Sequence, residues 1–249
     1  MGSPVRFPFG VTTADKTNPL ANYGLPDPTQ WHTFFDDFDT WVTDTSAEAK
    51  YTITTVEAGA GSATEALSDE RNGVLLITND AADNDSDFFQ KLGESFLLTS
   101  GKKMAFKARF KCSDDTQVEW YMGLMVTDTD PFSSAAGDGV TDGVFFMKED
   151  GSTNIDFYVQ KNATTGQLTT SAITTTAAAD TWQTLAFAFD GARYIRTYKN
   201  DVLLSTIDLT TTLTTYLPDT EMTISFGLKN GEAVAKTMSL DYIFCADER

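Results

Sequence analysis

The sequence predicts an all-β protein made of two packed antiparallel sheets and preceded by an extended N-terminal arm. Three observations support this fold class. Short segments that alternate apolar and polar residues recur along the chain, dipeptides with turn chemistry separate them, and strongly helical runs are scarce. A chain of 249 residues, 41% of them hydrophobic, can also bury one sizeable core without a metal or a disulfide.

Residues 1–35 form the predicted arm. Five of the seven prolines lie within the first 28 residues, in a stretch that has neither helical nor strand periodicity. The stretch is nevertheless too apolar for a disordered tail. We expect it to lie either on its own domain or, as we favour, on a neighbouring subunit. Its anchoring side chains would be Phe7, Phe9, Leu20, Tyr23, Leu25 and Trp31.

Residues 36–249 are predicted to form a single sandwich domain. The clearest strand covers 103–112, where apolar residues alternate with basic ones. The segment 65–72 is a weak candidate for a short helix. The C-terminal strand, with Leu240, Tyr242 and Phe244, should pair with a strand around 35–41. Further strands are expected at 50–57, 73–79, 117–127, 143–149, 154–161, 182–190, 192–199, 201–209 and 222–229.

Net charge and hydropathy argue against nucleic-acid binding and against a membrane span. The net charge of −18 disfavours direct binding of nucleic acid, whose affinity for proteins comes largely from cationic side chains. No segment is long and apolar enough to span a membrane, and Met1 to Phe9 do not resemble a signal peptide. Cys112 and Cys245 could reach each other, but we favour two buried free thiols.

Two adjacent hairpins over 182–209 resemble a known family of folds. Trp182 opens a strand, Asp190-Gly191 turns the chain into an aromatic strand, and Asn200-Asp201 turns it again into an apolar one. This arrangement resembles the central hairpins of concanavalin-like jelly rolls, the laminin-G and legume-lectin type of sandwich. The resemblance implies an antiparallel two-sheet jelly roll and does not indicate a ligand.

A second resemblance covers nearly the whole chain. The segments 103–114, 142–165 and 226–249, together with the arm, look like virion structural proteins of tailed bacteriophages. In that family a jelly roll decorates or cements the capsid while an extended segment anchors it. The resemblance implies a structural protein of the virion's capsid surface, synthesised in the host cytoplasm. Its partners would be the major capsid protein and sister subunits in a homo-oligomer, with a trimer favoured.

The residues needed for catalysis are missing from the sequence. Glycoside hydrolases with this kind of sandwich place Glu, Asp and Glu at alternate positions of one strand, and no such run occurs. His32 is the only histidine and is not near a Ser or Cys patterned as a nucleophile, which excludes a catalytic triad. We therefore expect no enzymatic activity and no cofactor.

Two acidic loops resemble calcium sites in composition. Residues 83–94 place Asp83, Asp85 and Asp87 as in a calcium hand, but Phe88 replaces the required glycine. The loop 128–143 offers oxygen ligands as well, although we favour a solvated loop with no metal. Its candidate ligands are Asp128, Asp130, Asp138 and Asp142.

Carbohydrate binding is the alternative function, because jelly rolls bind sugars through aromatic side chains and polar loops. A module of this kind would bind a host glycan or belong to a tail-associated adhesion protein. Strand alternation favours a core position for most of the available rings. These rings belong to Trp120, Tyr121, Phe132, Tyr158, Tyr194 and Tyr198.

Overall fold

The computed structural model describes residues 29–128, 131–132, 139–163, 168–169, 173, 175–209 and 213–249. Within these residues the chain forms strands and one short helix. Their bounds are β1 Trp31–Asp36, β2 Tyr51–Val56, β3 Thr64–Leu67, β4 Leu75–Thr78, β5 Ser86–Lys91, β6 Met104–Cys112, β7 Val118–Met125, β8 Gly143–Lys148, β9 Asp156–Gln160, β10 Leu168–Thr169, β11 Gln183–Phe189, β12 Tyr194–Lys199, β13 Val202–Asp208, α1 Leu213–Tyr216, β14 Thr223–Asn230 and β15 Thr237–Glu248.

The strands form the predicted sandwich of two antiparallel sheets. Sheet A has the order β13-β12-β11-β6-β15-β4-β3, and β1 also pairs with β15. Sheet B has the order β10-β9-β8-β7-β14-β5-β2. Several strands that are neighbours in a sheet, such as β6 and β15, are far apart in the sequence. The chain therefore crosses repeatedly from one sheet to the other. No helix among the described residues is long and apolar enough to span a membrane.

The core between the sheets is rich in aromatic rings. Strand β6 alternates strictly between buried and half-buried residues, as its sequence predicts, and buries Phe106 and Phe110. The ring of Phe110 meets Trp120 of sheet B edge to face, with centroids 5.0 Å apart. Phe89 and Phe226 stack at 5.0 Å on neighbouring strands of sheet B. The first contact joins the two sheets and the second packs neighbouring strands of sheet B, and both belong to one continuous apolar layer.

The two ends of the described chain pair with each other. Strand β1 runs antiparallel to β15, with Phe35 opposite Phe244, which confirms the predicted closure of the sandwich by the C-terminal strand. The pairing begins at Trp31, opposite Glu248. Residues 31–35, which the sequence analysis assigned to the arm, lie in strand β1 of sheet A. The apolar run from Trp31 to Phe35 reflects strand pairing rather than arm character.

Sequence patterns also failed at β3 and β5. The expected helix at 65–72 is wrong, since Thr64–Leu67 form β3 and pair with β4. Strand β5 was not predicted, because five of its six residues are buried and no polar and apolar alternation marks it. A strand covered on both faces loses the period of two that identifies strands in sequences.

Gly123 of β7 has no side chain, which leaves room for Phe145 on the neighbouring strand β8. A methyl group at this position would lie 2.5 Å from the carbonyl oxygen of Val144 and from the Cα of Phe145. We expect Gly123→Ala to lower the free energy of unfolding by about 1–3 kcal/mol, because the backbone of β8 has to move. Urea denaturation measures this change, and an unaltered midpoint would contradict it.

Candidate functional site

The outer face of sheet B, which points away from the core, is filled by a second apolar cluster. Ring stacking between Phe145 and Tyr158, 5.3 Å apart, anchors it. The ring of Phe132 stands edge to face on Tyr121 and Phe88, with centroids 5.0 and 5.8 Å apart. Its buried members are Phe88, Tyr121, Met125, Phe132, Val140, Phe145, Met147 and Tyr158. This face therefore offers no open aromatic platform at these positions.

An ion pair lies beside this cluster. The Glu119 carboxylate and the Lys229 ammonium are 2.7 Å apart, and their side chains are only 7% and 17% exposed. Lys229 also donates a hydrogen bond to the carbonyl oxygen of Phe132 at 3.2 Å. Burial raises the pKa of Glu119, an effect that the Lys229 ammonium opposes. Sequence reasoning missed this pair, because its members lie on strands far apart in the chain.

Strand β7 carries Glu119 on the outer face of sheet B. Its side chains alternate, so Glu119, Tyr121 and Gly123 point to the outer face of sheet B. The pattern is one carboxylate followed by a phenol and a glycine. Burial and the neighbouring Glu119 raise the pKa of Tyr121, so the phenol stays protonated and donates to that carboxylate at 3.3 Å.

The segment 83–94, which resembles a calcium hand only in the spacing of its aspartates, contains strand β5, which carries Asp87 into the interior. The Thr55 hydroxyl donates to Asp87 at 2.6 Å, and the carboxyl group of Glu65 from sheet A interacts with the Asp87 carboxyl group. Burial is the main cause that raises the pKa of Asp87 to about 7, and the negative charges of Glu65 and Glu57 add to it. Two carboxyl groups thus share a site between the sheets.

The second acidic loop is only partly described. The Asp128 N–H donates to the Gln90 side chain at 2.9 Å, and Asp142 is buried. Burial raises the pKa of Asp142. The other two candidate ligands, Asp130 and Asp138, lie outside the described residues. Within the described ranges no group of three or more His, Cys, Asp or Glu residues could hold a metal ion.

The remaining sequence-predicted residues lie apart from one another. Five of the six arm residues lie outside the described residues, and the sixth, Trp31, is part of β1. The His32 ring packs against Phe96 at a tilt of 38°, with centroids 4.9 Å apart, and lines a polar depression of about 430 Å³. Cys112 and Cys245 are both buried free thiols, and burial raises the pKa of Cys112 to about 12.

The outer face of sheet A carries the solvent-accessible aromatic rings. Strand alternation on β12 directs Tyr194 and Tyr198 to this face, and Phe35 on β1 is 57% exposed. Phe35 and Tyr242 have ring centroids 6.3 Å apart. Of the six rings singled out in the sequence, Trp120, Tyr121, Phe132 and Tyr158 are buried, as expected, and the other two lie here.

Charged side chains alternate with these rings. Lys107 and Asp201 form an ion pair of 2.6 Å, in which the Asp201 side chain is 75% exposed. Arg109 stacks on Trp182, 4.4 Å from the ring centroid, and pairs with Asp241. Sequence reasoning found the basic residues of β6 but missed Phe35, Tyr242 and Phe244 as their neighbours, because register between β1, β15 and β6 decides that proximity.

Solved structures with the same fold include proteins of different functions. An endo-1,3-β-glucanase from Streptomyces sioyaensis aligns with a TM-score of 0.59 at 15% identity, over 90% of this chain and 99% of that chain. A protein of unknown function from Shewanella oneidensis MR-1 aligns with a TM-score of 0.57 at 15% identity, over 90% and 95%. Peanut lectin aligns with a TM-score of 0.53 at 11% identity, over 88% and 97%.

At the level of sequence, no family model and no curated protein matches the chain. The structural likeness is below 25% identity and therefore shows the fold alone. The sequence-based resemblance to concanavalin-like sandwiches is confirmed at that level. The chain has the concanavalin-like jelly-roll fold of lectins and glucanases.

Proposed function

We propose that this chain is a carbohydrate-binding module that does not hydrolyse its ligand. The observation that carries the proposal is the set of accessible rings on the outer face of sheet A, among them Tyr198 and Phe35, interleaved with Lys107, Arg109 and Asp201. Aromatic faces contact the apolar faces of sugar rings, and charged groups exchange hydrogen bonds with sugar hydroxyls. The fold, shared with peanut lectin and a glucanase, is compatible with this role.

The composition of β7 supports the non-catalytic part of the proposal. Hydrolysis of a glycosidic bond requires two carboxyl groups at a fixed separation across the bond. On the outer face of β7 Glu119 is followed by Tyr121 and Gly123, and its carboxylate is neutralised by Lys229 at 2.7 Å. A carboxylate held in an ion pair under an aromatic cluster is poorly placed to protonate a leaving group.

Binding and hydrolysis can be measured together on the intact chain. We expect its migration to be retarded in native gels that contain laminarin, mixed-linkage β-glucan or galactomannan, with no release of reducing ends from any of them. Migration unchanged by all three polysaccharides would overturn the proposal of carbohydrate binding. Release of reducing ends would overturn its non-catalytic part, and in that case Glu119→Gln tests whether the activity depends on this carboxylate.

Decoration of a phage capsid remains a prediction from the sequence. It depends on an anchoring arm, and Phe7, Phe9, Leu20, Tyr23 and Leu25 lie outside the described residues. The two functions are compatible, since a capsid-bound module could present a glycan-binding face to the host. Co-sedimentation of the intact chain with undecorated capsids, compared with a chain that lacks residues 1–28, tests the prediction.

A further inference from the structure

Strand register places three alanines side by side on the outer face of sheet A. Ala188 of β11 lies opposite Ala105 of β6, which in turn lies opposite Ala246 of β15. Thr33 of β1 continues the row beside Ala246, and Arg196 of β12 ends it beside Ala188. These four short side chains lie in register across four strands, and we call the row the furrow floor. Ala188 and Ala105 are half-exposed and Thr33 is exposed, whereas Ala246 is only 2% exposed and is covered by its neighbours.

Larger side chains form a bank on each side of this floor. Two residues along the strands, the register joins Tyr198, Ala186, Lys107, Phe244 and Phe35 into one row across the sheet, in which Ala186 is the one small side chain. On the other side, Trp31 lies opposite Glu248, whose N–H donates to the Lys103 carbonyl oxygen at 2.9 Å. Tyr194 occupies the corresponding level of β12. The floor and its two banks together form the furrow.

The dimensions of the furrow suit an extended polymer. The five strands from β12 to β1 span roughly 19 Å across the sheet, at the usual spacing between neighbouring strands. Lys103 and Lys107 lie four residues apart on the same strand, which separates the banks by about 13 Å from Cα to Cα. After the side chains of the banks are allowed for, a single chain of sugar rings fits on the floor, with its rings against the half-exposed methyl groups of Ala188 and Ala105.

Charges in and around the furrow determine the class of polymer. Lys107 is neutralised by Asp201 at 2.6 Å, and Glu248 lies on the same bank as Lys103. The chain as a whole carries a net charge of −18, which repels a polyanion. Mixed charges of this kind are suited to neutral hydroxyl groups, which both donate and accept hydrogen bonds.

We propose that the furrow binds an extended neutral polysaccharide that runs across the strands of sheet A, with rings packed on Ala188 and Ala105 between the two banks. This inference rests on the proposed carbohydrate-binding function and adds the site, the direction of the bound chain and the ligand class. It places the ligand on sheet A, because the outer face of sheet B is filled by Phe88, Tyr121, Phe132 and their neighbours.

Filling the floor tests the site without removing any contact within the protein. Ala188→Tyr places a ring on the half-exposed floor, whereas Ala66→Tyr makes the same change at an exposed position of β3 in the same sheet. With mixed-linkage β-glucan, laminarin and galactomannan as probes, we expect Ala188→Tyr to weaken binding at least about tenfold, equivalent to about 1.4 kcal/mol, and Ala66→Tyr to bind like the wild type.

A second variant removes a bank without blocking the floor. Tyr198→Ala should also weaken binding, while Val202→Ala, at a 65% exposed position of β13, should not. Wild-type affinity in both Ala188→Tyr and Tyr198→Ala would overturn the furrow and leave the proposed function intact. Failure of the wild type to bind any of the three polysaccharides would overturn the proposed function itself. Preference for polygalacturonate over all three would overturn the neutral ligand class.

Discussion

Lys229→Met is expected to lower the free energy of unfolding by about 3–5 kcal/mol at neutral pH, because it leaves the Glu119 carboxylate buried without its cation. The two groups are 2.7 Å apart, with Glu119 only 7% exposed. The variant also loses the hydrogen bond from Lys229 to the Phe132 carbonyl oxygen, which holds Phe132 over the outer cluster of sheet B. Urea denaturation followed by tryptophan fluorescence measures the loss.

Two further variants separate charge from packing. Glu119→Gln combined with Lys229→Met removes both charges, and we expect this double variant to recover most of the lost stability. Lys111→Met breaks a pair with Glu70 of 3.2 Å between partly exposed side chains, and it should cost about 1 kcal/mol or less. If Lys229→Met costs no more than Lys111→Met, the buried pair does not stabilise the fold as argued.

The expected loss also depends on pH. Without Lys229 the pKa of Glu119 rises further, so the folded variant keeps a proton that the unfolded chain releases above about pH 4. The folded state then binds more protons than the unfolded state, and the stability of the variant falls as pH rises. The difference between wild type and Lys229→Met should therefore be smaller at pH 5 than at pH 8.

Asp87→Asn is expected to remove a decline in stability between about pH 4 and 7. The pKa of Asp87 is about 7 in the folded chain, raised first by burial and then by Glu65 and Glu57, against 3.8 for a free aspartate. At a pH below the pKa of Asp87 in the unfolded chain, the carboxyl group is protonated in both the folded and the unfolded state. Its burial then does not lower the free energy of unfolding. As pH rises the unfolded chain ionises first, which lowers the free energy of unfolding by up to roughly 4 kcal/mol.

The measurement is urea denaturation of both proteins at pH 5 and pH 8. The wild type should lose more stability than Asp87→Asn over this interval, because the amide keeps the hydrogen bond from Thr55 and has no charge to bury. Asp83→Asn removes the same charge at an exposed position four residues earlier and should decline like the wild type. Equal declines in wild type and Asp87→Asn would show that this carboxyl is not the titrating group.

Much of the sheet structure could be predicted from the sequence, because half-buried strands carry a period of two. Strand β6 is the clearest case, and the turns at Asp190-Gly191 and Asn200-Asp201 identified the hairpins beside it. Strand β5 escaped, since burial on both faces removes that period. For this reason 83–94 resembled a calcium loop in the sequence. In the structure its aspartates precede or begin strand β5.

The candidate site was less accessible to sequence reasoning. The exposed rings and cations could be listed, but their grouping depends on which strands become neighbours and in what register. Ala188, Ala105 and Ala246 are separated by more than fifty residues at each step, and only antiparallel pairing brings them into one row.

The sequence by itself determined the fold class, the free thiols and the closure of the sandwich by its C-terminal strand. Each of these follows from local patterns of burial and from composition. The tertiary structure decided that the aromatic residues of sheet B fill one outer face while those of sheet A remain accessible on the other. That choice depends on whether a loop residue such as Phe132 covers the rings, and coverage is a long-range property that no local pattern records.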